Sequence, residues 1–548
     1  MYVNNQMATE YISPGVATFD ALNNYNYIYD HATTESGIAD YLTSAPIPLK
    51  SKDSLYLSFF YQAMGLGEQP DLEDSLVAQV KFNDSVWVTV WHQQGIKMDT
   101  FVQAIVPLSD TLFPSDTLVF RFYNRISLVK QPANKGLTGN VDHWHIDFVS
   151  VGRVASEASL QALNDVTFRD SPGSIFSGYR QMPASHIAPD TRYNRNIVYS
   201  LYNYFNEAAS TTITYDVYFD DVKYDQEPVV IPSPTFDMGP LSGVDISLTF
   251  KPEIILSEDL TNFNKLIIKY YVSDVDVAYT DKSKIMNDTI VQVYDLSTYY
   301  AYDDGMPEKS YGFFGNAADA AQFAQLFEVA KPGGDKLTYI GMYFNPVADT
   351  LTVGSPYVLA LWKAIDGNNT VMPAEFPFWQ SEELKVTYDN YGKFYYYQLK
   401  EPIDVSDKVY IGWQQQYGSG YLNIGLDKNN TNNNGARINT NGSWQPSSVT
   451  DAIMIRAGFG QVPTGMATAL KQNNDGILYP NPVKSSFSIK GLTLAGASYF
   501  VFDLSGRLVH QDMLTVHNDL PAFVNNGLYV LKVVKDNTHY TYKMQVLR

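Results

Sequence analysis

No cysteine occurs in the 548 residues, which excludes a disulfide framework and any thiolate-held zinc or iron–sulfur centre. Basic residues are also scarce, with 38 Lys and Arg against 58 Asp and Glu for a net charge of −20. A phosphate backbone needs clustered Lys and Arg to neutralise it, so nucleic acid is excluded as the expected partner. No apolar run approaches the roughly 18 residues of a membrane-crossing helix. There are only eight histidines. The chain has no Gly-x-Ser-x-Gly elbow, no His-Glu-x-x-His, no P-loop and no thiol nucleophile. Paired acids such as Asp220-Asp221 and Glu382-Glu383 are strand neighbours that point to opposite faces, so they cannot act together as a glycosidase pair. The expectation is a chain that is not an enzyme. Its first residues, Met1-Tyr2-Val3-Asn4-Asn5, have neither the basic nor the apolar region of a secretory signal.

What is abundant is tyrosine, 41 residues of it, together with Asn-rich turns and alternating Val, Thr, Phe and Ile. That balance is all-β. The length calls for several domains, and the pattern divides into multidomain β-sandwiches. In residues 1–153, Leu55, Leu57, Phe59 and Tyr61 alternate with Tyr56, Ser58 and Phe60, a strand apolar on both faces, and similar runs at Val86–Trp91, Leu118–Phe122 and Trp144–Val149 predict a jelly roll. Residues 154–297 predict an Ig-like sandwich. There Ile213, Tyr215 and Val217 oppose Thr212, Thr214 and Asp216, and Val244, Ile246 and Leu248 oppose Asp245, Ser247 and Thr249. Residues 298–461 predict a second jelly roll, with strands at Leu337–Tyr343, Tyr357–Trp362, Tyr395–Leu399 and Val409–Gln414. In the same unit the Ala-rich stretch Asn316–Ala330 favours helix by propensity and strand by context. Residues 462–473 read as a linker.

Few constellations carry chemistry. In Asp142-His143-Trp144-His145-Ile146-Asp147 the two imidazoles and Asp147 share one strand face and could share a divalent ion. The position is also that of a packed last strand, with Trp144 and Ile146 as core, and structural histidines are the expectation. Asp427, Asn429, Thr431 and Asn433 alternate oxygen donors, but a calcium loop of the EF-hand kind needs Gly and Glu where this chain has Asn432 and Ile438; an Asn-rich surface loop is expected. Tyr395, Tyr396, Tyr397, Trp413 and Trp444 would stack on sugars if exposed, and otherwise belong to the sheets.

Gly15–Asp20, Tyr41–Ile47, Leu57–Gln62 and the closing Asp142–Asp147 run resemble the jelly-roll modules of the MAM and cleaved-adhesin type, found in large surface proteins of the Bacteroidota. The resemblance implies Ca²⁺ held by an acidic residue near the start and by the closing aspartate. By position these are Asp20 and Asp147, with Asp303 and Asp304 at a comparable opening position in the third unit.

The last residues, 474–548, carry an ordered set of signals. Tyr479-Pro480-Asn481-Pro482 opens a strand at Phe487–Ile489, Phe502–Arg507 reads as strand then Gly turn at Gly506, Asn525-Asn526-Gly527 turns into Leu528–Val533, and Tyr540–Val546 ends as a strand. This series resembles the C-terminal sorting domain (type A) of proteins exported by the type IX secretion system. The resemblance implies a secretory signal, removed or left out of this numbering. It also implies passage through periplasm and outer membrane, recognition by the type IX translocon and an outer-membrane shuttle protein, and removal of the module by a sortase-like peptidase within the linker. The implied sorting residues are Pro480, Asn481, Pro482, Gly506, Gly527, Tyr529 and Lys543. The expectation is thus a cell-surface or extracellular protein acting by adhesion or ligand binding. Carbohydrate binding, hydrolysis and a structural role in an outer-membrane assembly are the alternatives, with polysaccharide as a ligand of the first two.

Overall fold

The computed structural model describes all residues other than 1, 25, 30–35, 52–53, 84, 114–115, 128–139, 154–164, 188–192, 225–228, 231–235, 250–257, 275–287, 314–320, 347–352, 368–369, 387–391, 416–421, 463–476, 480–482, 491–495, 505, 536–537 and 547–548. The chain forms two compact units, Met1–Thr468 and Ala469–Arg548. Both are built of antiparallel strands. Among the described residues the helical pieces are short 3₁₀ turns, Asp110–Leu112, Ala184–His186 and Leu260–Asn262.

The first sandwich faces a five-stranded sheet (Tyr2–Asn4, Val16–Phe19, Trp144–Arg153, Leu55–Ala63, Met98–Leu108) against a four-stranded one (Gly37–Thr43, Phe120–Ile126, Ser75–Lys81, Trp87–Gln94). Alternation sends Leu57, Phe59, Phe122, Leu76 and Trp144 into the core between them. The other face of the Leu55–Ala63 strand is covered too, because Ser58 and Gln62 are buried, as its apolar and small side chains anticipate. The closing strand lies centrally, with His145 opposite Thr18 on one side and Gln62 on the other.

The second sandwich pairs a three-stranded sheet (Val166–Phe168, Asn196–Asn203, Ser242–Thr249) with a larger sheet centred on Ala209–Phe219 and Lys265–Asp274. Ile213, Tyr215 and Val217 are buried as their alternation requires; on Ser242–Thr249, Ile246 and Leu248 are buried but Val244 is exposed near the strand start. The third module has Asp335–Tyr343 between Ile455–Gly458 and Phe394–Val405, and a sheet in which Pro356–Asp366, Lys408–Gln415, Gln322–Glu328 and Ala436–Asn439 are neighbours. Of the stretch Asn316–Ala330, residues 316–320 lie outside the described residues; within the rest, Gln322–Glu328 is a strand between two others.

No sheet crosses from one of these three modules to the next among the described residues. The second and third nevertheless share one continuous apolar core from Val166 to Phe459. Tyr179 Oη donates to Glu328 O and accepts from Glu328 N, and Gln181 and Ala301 exchange backbone hydrogen bonds. The first module adds Asn140 Nδ2 donating to Pro307 O at 2.6 Å and an Arg169–Glu10 ion pair.

The second unit is a small sandwich. Ile477–Tyr479, Ser486–Lys490 and Asn518–Asp519 form one sheet, and Leu508–Met513, Ser498–Asp503, Gly527–Lys535 and Thr538–Val546 the other. Phe487, Tyr499, Val501, Leu531, Val533, Met544 and Val546 fill it.

Candidate functional site

Gly65 and Gly67 bring a loop down onto the closing strand of the first sandwich. A Cβ on Gly67 would collide with the His143 ring and one on Gly65 with His145 Nε2, so only glycine permits the approach. Both rings are fully buried and every ring nitrogen is engaged. His143 Nδ1 accepts from Glu68 N and its Nε2 meets Asn140 Oδ1 at 2.8 Å; His145 Nδ1 meets Thr18 Oγ1 at 2.9 Å and its Nε2 meets Met64 O at 3.3 Å. Burial first pushes both well below the ordinary imidazole value, to about 3 for His143 and about 4 for His145. These histidines are structural.

The carboxylates expected to hold calcium fall into three situations. Asp147 is clamped by four donors: Ile12 N and Ser13 N at 2.8 Å, Ser13 Oγ at 2.7 Å and Phe148 N at 2.6 Å. Asp20 is buried, accepts from Leu22 N at 2.9 Å and keeps Oδ2 without a hydrogen-bond partner. The structure does not bring these two together. Trp144 is opposite Phe19 and Ile146 opposite Ala17, so four strand steps of register, ~13 Å, separate Asp20 from Asp147. Asp303 is taken up by Arg456, whose Nη2 donates to Oδ1 at 2.6 Å with both side chains buried; the guanidinium also lies 3.7 Å from the Phe394 ring centroid and 4.7 Å from that of Tyr299. Asp304 instead joins Asp427, whose Oδ2 accepts from Asp304 N at 2.8 Å, and Asn430 Nδ2 donates to both carboxylates.

Asp427 thus lies in no surface loop. It sits on the strand Ile424–Thr431, is fully buried, and lies near Glu308, whose Oε2 accepts from Lys428 N at 2.7 Å. Burial, then Asp427 and Asp304, holds Glu308 well above the ordinary carboxylate range; burial, then Asp304, does the same to Asp427. Glu308 escaped sequence reasoning because nothing in its own neighbourhood marks it. The same is true of Asp71 and Asp74, which with Asp142, the first residue of the Asp142–Asp147 run, offer three carboxylate oxygens within 4.8 Å of one another.

Of the aromatic candidates, three are core, while Tyr397 and Trp444 are half-buried against it. Tyr395, Tyr396 and Trp413 are buried, Trp413 stacks on Phe323, and Trp444 packs edge-on against Trp362 while its Nε1 donates to Ala374 O. Apolar alternation on both faces was the available signal that these strands are covered twice. A polar cleft of about 600 Å³ opens instead where the three modules meet, lined among others by Asn4 and Gln6 from the first, Asp170 and Arg180 from the second, and Asp304 and Asn430 from the third.

In the second unit, Ser498–Asp503 ends in a turn where Gly506 takes φ +84 and its N–H bonds Asp503 O, a conformation favouring glycine. Tyr529 follows the Gly527 turn and its hydroxyl donates to Asn525 O at 2.9 Å. Lys543 stands on the last strand opposite Val530. These four residues therefore sit at turn and sheet positions, while Pro480, Asn481 and Pro482 lie outside the described residues.

Among solved structures, likenesses are weak. The β-glucuronidase of Bacteroides uniformis is 11% identical with a TM-score of 0.21, over 55% of this chain and 34% of that one. A GH2 β-galacturonidase of Eisenbergiella tayi is 10% identical with a TM-score of 0.18, over 53% and 37%. The chain spans about a third of the length of each, and likenesses at this level carry nothing about fold or activity. No curated protein matches in sequence. The match that is specific is to the family described as the secretion system C-terminal sorting domain, over residues 477–547. These residues are a C-terminal sorting domain, and the chain that carries it is exported by the type IX secretion system to the cell surface or the extracellular space.

Proposed function

We propose that the chain is a non-enzymatic binding protein of a member of the Bacteroidota, in which a fused body of three sandwiches holds a hydrophilic ligand of the polysaccharide class. The observation that carries this reading is the cleft at the junction of the three modules. Its walls combine amides from Asn4, Gln6 and Asn430, the Arg180 guanidinium and the Asp170 and Asp304 carboxylates, a set that offers both donors and acceptors to hydroxyl groups. The two outer modules are jelly rolls of the MAM or cleaved-adhesin kind. At the other end of the chain, the sorting domain engages the translocon and the outer-membrane shuttle protein through its strands and turns, and a sortase-like peptidase then cuts within residues 462–473.

Retention of the purified chain on immobilised surface polysaccharides tests the reading. Binding without release of reducing ends is expected, weakened at least tenfold by Arg180→Ala. Release of sugar products, or retention indifferent to Arg180→Ala, would overturn it.

A further inference from the structure

Three carboxylates of the first sandwich meet at a place that the fold builds from distant parts of the chain. Asp71 and Asp74 close the loop that begins at Gly65, and Asp142 lies two residues before the closing strand Trp144–Arg153. Asp74 is 0% exposed and Asp142 2%. Asp74 Oδ2 accepts from Asp71 N at 3.0 Å and from Ser127 Oγ at 3.1 Å, while Asp142 Oδ2 accepts from Ser127 N at 3.2 Å. Ser127 therefore ties the two acids to the end of the Phe120–Ile126 strand.

Two further observations point to something that belongs between them. Asp74 Oδ1 is buried with no hydrogen-bond partner, which is costly for a carboxylate oxygen unless a cation or donor meets it. The charges acting on Asp142 are those of Asp74, Glu68 and Asp71, all negative, in contrast to Asp303, which has Arg456. Asp142 also takes φ +56, a conformation Asp tolerates better than most residues but one the surroundings must hold in place.

We propose that Asp71, Asp74 and Asp142 bind a calcium ion that pins the Glu68–Asp74 loop to the start of the closing strand. Geometry and donor chemistry both fit. Two oxygens each about 2.4 Å from one Ca²⁺ lie at most about 4.8 Å apart, and the three carboxylate oxygens here are within 4.8 Å of one another. The donors are all oxygen, and the neighbouring His143 has both ring nitrogens occupied, which selects a hard cation over zinc or copper. Asp71 is only half-buried, leaving a solvent side from which water completes the roughly six to eight ligands that calcium takes. The site is distinct from Asp20, Asp147, Asp303 and Asp304, and it needs neither the cleft nor the sorting domain. In physical terms it supplies the first module with the staple that a chain without disulfides lacks.

The test uses the full chain, stripped with EDTA and dialysed, and titrated with calcium alone by calorimetry, with melting followed in parallel. One calcium per chain is expected, with a dissociation constant no weaker than about 10⁻³ M, as in extracellular modules, and a rise in melting temperature. Asp71→Asn and Asp142→Asn should each weaken binding at least tenfold, whereas Glu308→Gln, in the third module, leaves it unchanged. If Asp142→Asn fails to fold, the half-buried Asp71→Asn decides. Absence of binding at millimolar calcium, binding indifferent to Asp71→Asn, loss of binding in Glu308→Gln, or zinc binding in preference to calcium would each overturn the proposal.

Discussion

The two compact units treat buried polarity in opposite ways. In Ala469–Arg548 the core from Leu478 to Val546 is apolar, and Asn518 is the one buried polar residue among those described. In Met1–Thr468 the interior holds Asp303 with Arg456, the Asp304–Glu308–Asp427 group, the Asp71–Asp74–Asp142 group and two neutral histidines. Ionisable groups are costly to bury and are stabilising only with partners in place. The small unit is therefore a plain apolar-cored scaffold. The large unit carries ionisable groups in its interior, in keeping with the ligand-holding body proposed above.

The sharpest way to separate the two is to leave a charge unpaired in one of them. Arg456→Met should cost about 3–5 kcal/mol, because Asp303 stays buried without its counter-charge; denaturant unfolding should show the loss in the transition of the large unit alone. In the other unit, Leu531→Ala removes a fully buried side chain and should cost about 2–5 kcal/mol, lowering surface delivery while the large unit's transition stays in place. A change in both transitions from either substitution would break the comparison.

Acid provides a finer probe. His145 is held down to about 4 from an ordinary 6.5, so its neutral form contributes stability fully present above pH 6.5 and lost as pH falls toward 4. Each pH unit in that window should remove about 1.4 kcal/mol. His145→Gln should make the dependence shallower by about that amount per pH unit, leaving the contribution of His143, as read by unfolding between pH 7 and pH 4.

Much of this architecture is legible in the sequence because strand alternation is local. The alternation of Ile213, Tyr215 and Val217 predicts the face they bury, and the order of turns after Tyr479 marks the sorting domain. Gln322–Glu328 is ambiguous in the sequence because two neighbouring strands, not its own residues, decide its conformation. Site chemistry was less legible for the same reason. Asp303 finds its guanidinium 153 positions away in Arg456, and Glu308 owes its environment to Asp427 on another strand. The family pattern points to Asp20 and Asp147, yet register separates them, and Asp142 meets Asp71 and Asp74 only through the fold.

The match of residues 477–547 to a sorting domain predicts an address separable from the body that it delivers. Its most direct test is transplantation: residues 474–548 joined to the C-terminus of a reporter that carries a secretory signal, expressed in a host with an active type IX system, with the reporter then assayed on intact cells and in the medium. Reporter at the surface or in the medium, and its loss when the translocon is disabled, is the expected result. A folded reporter that remains in the periplasm would contradict the account.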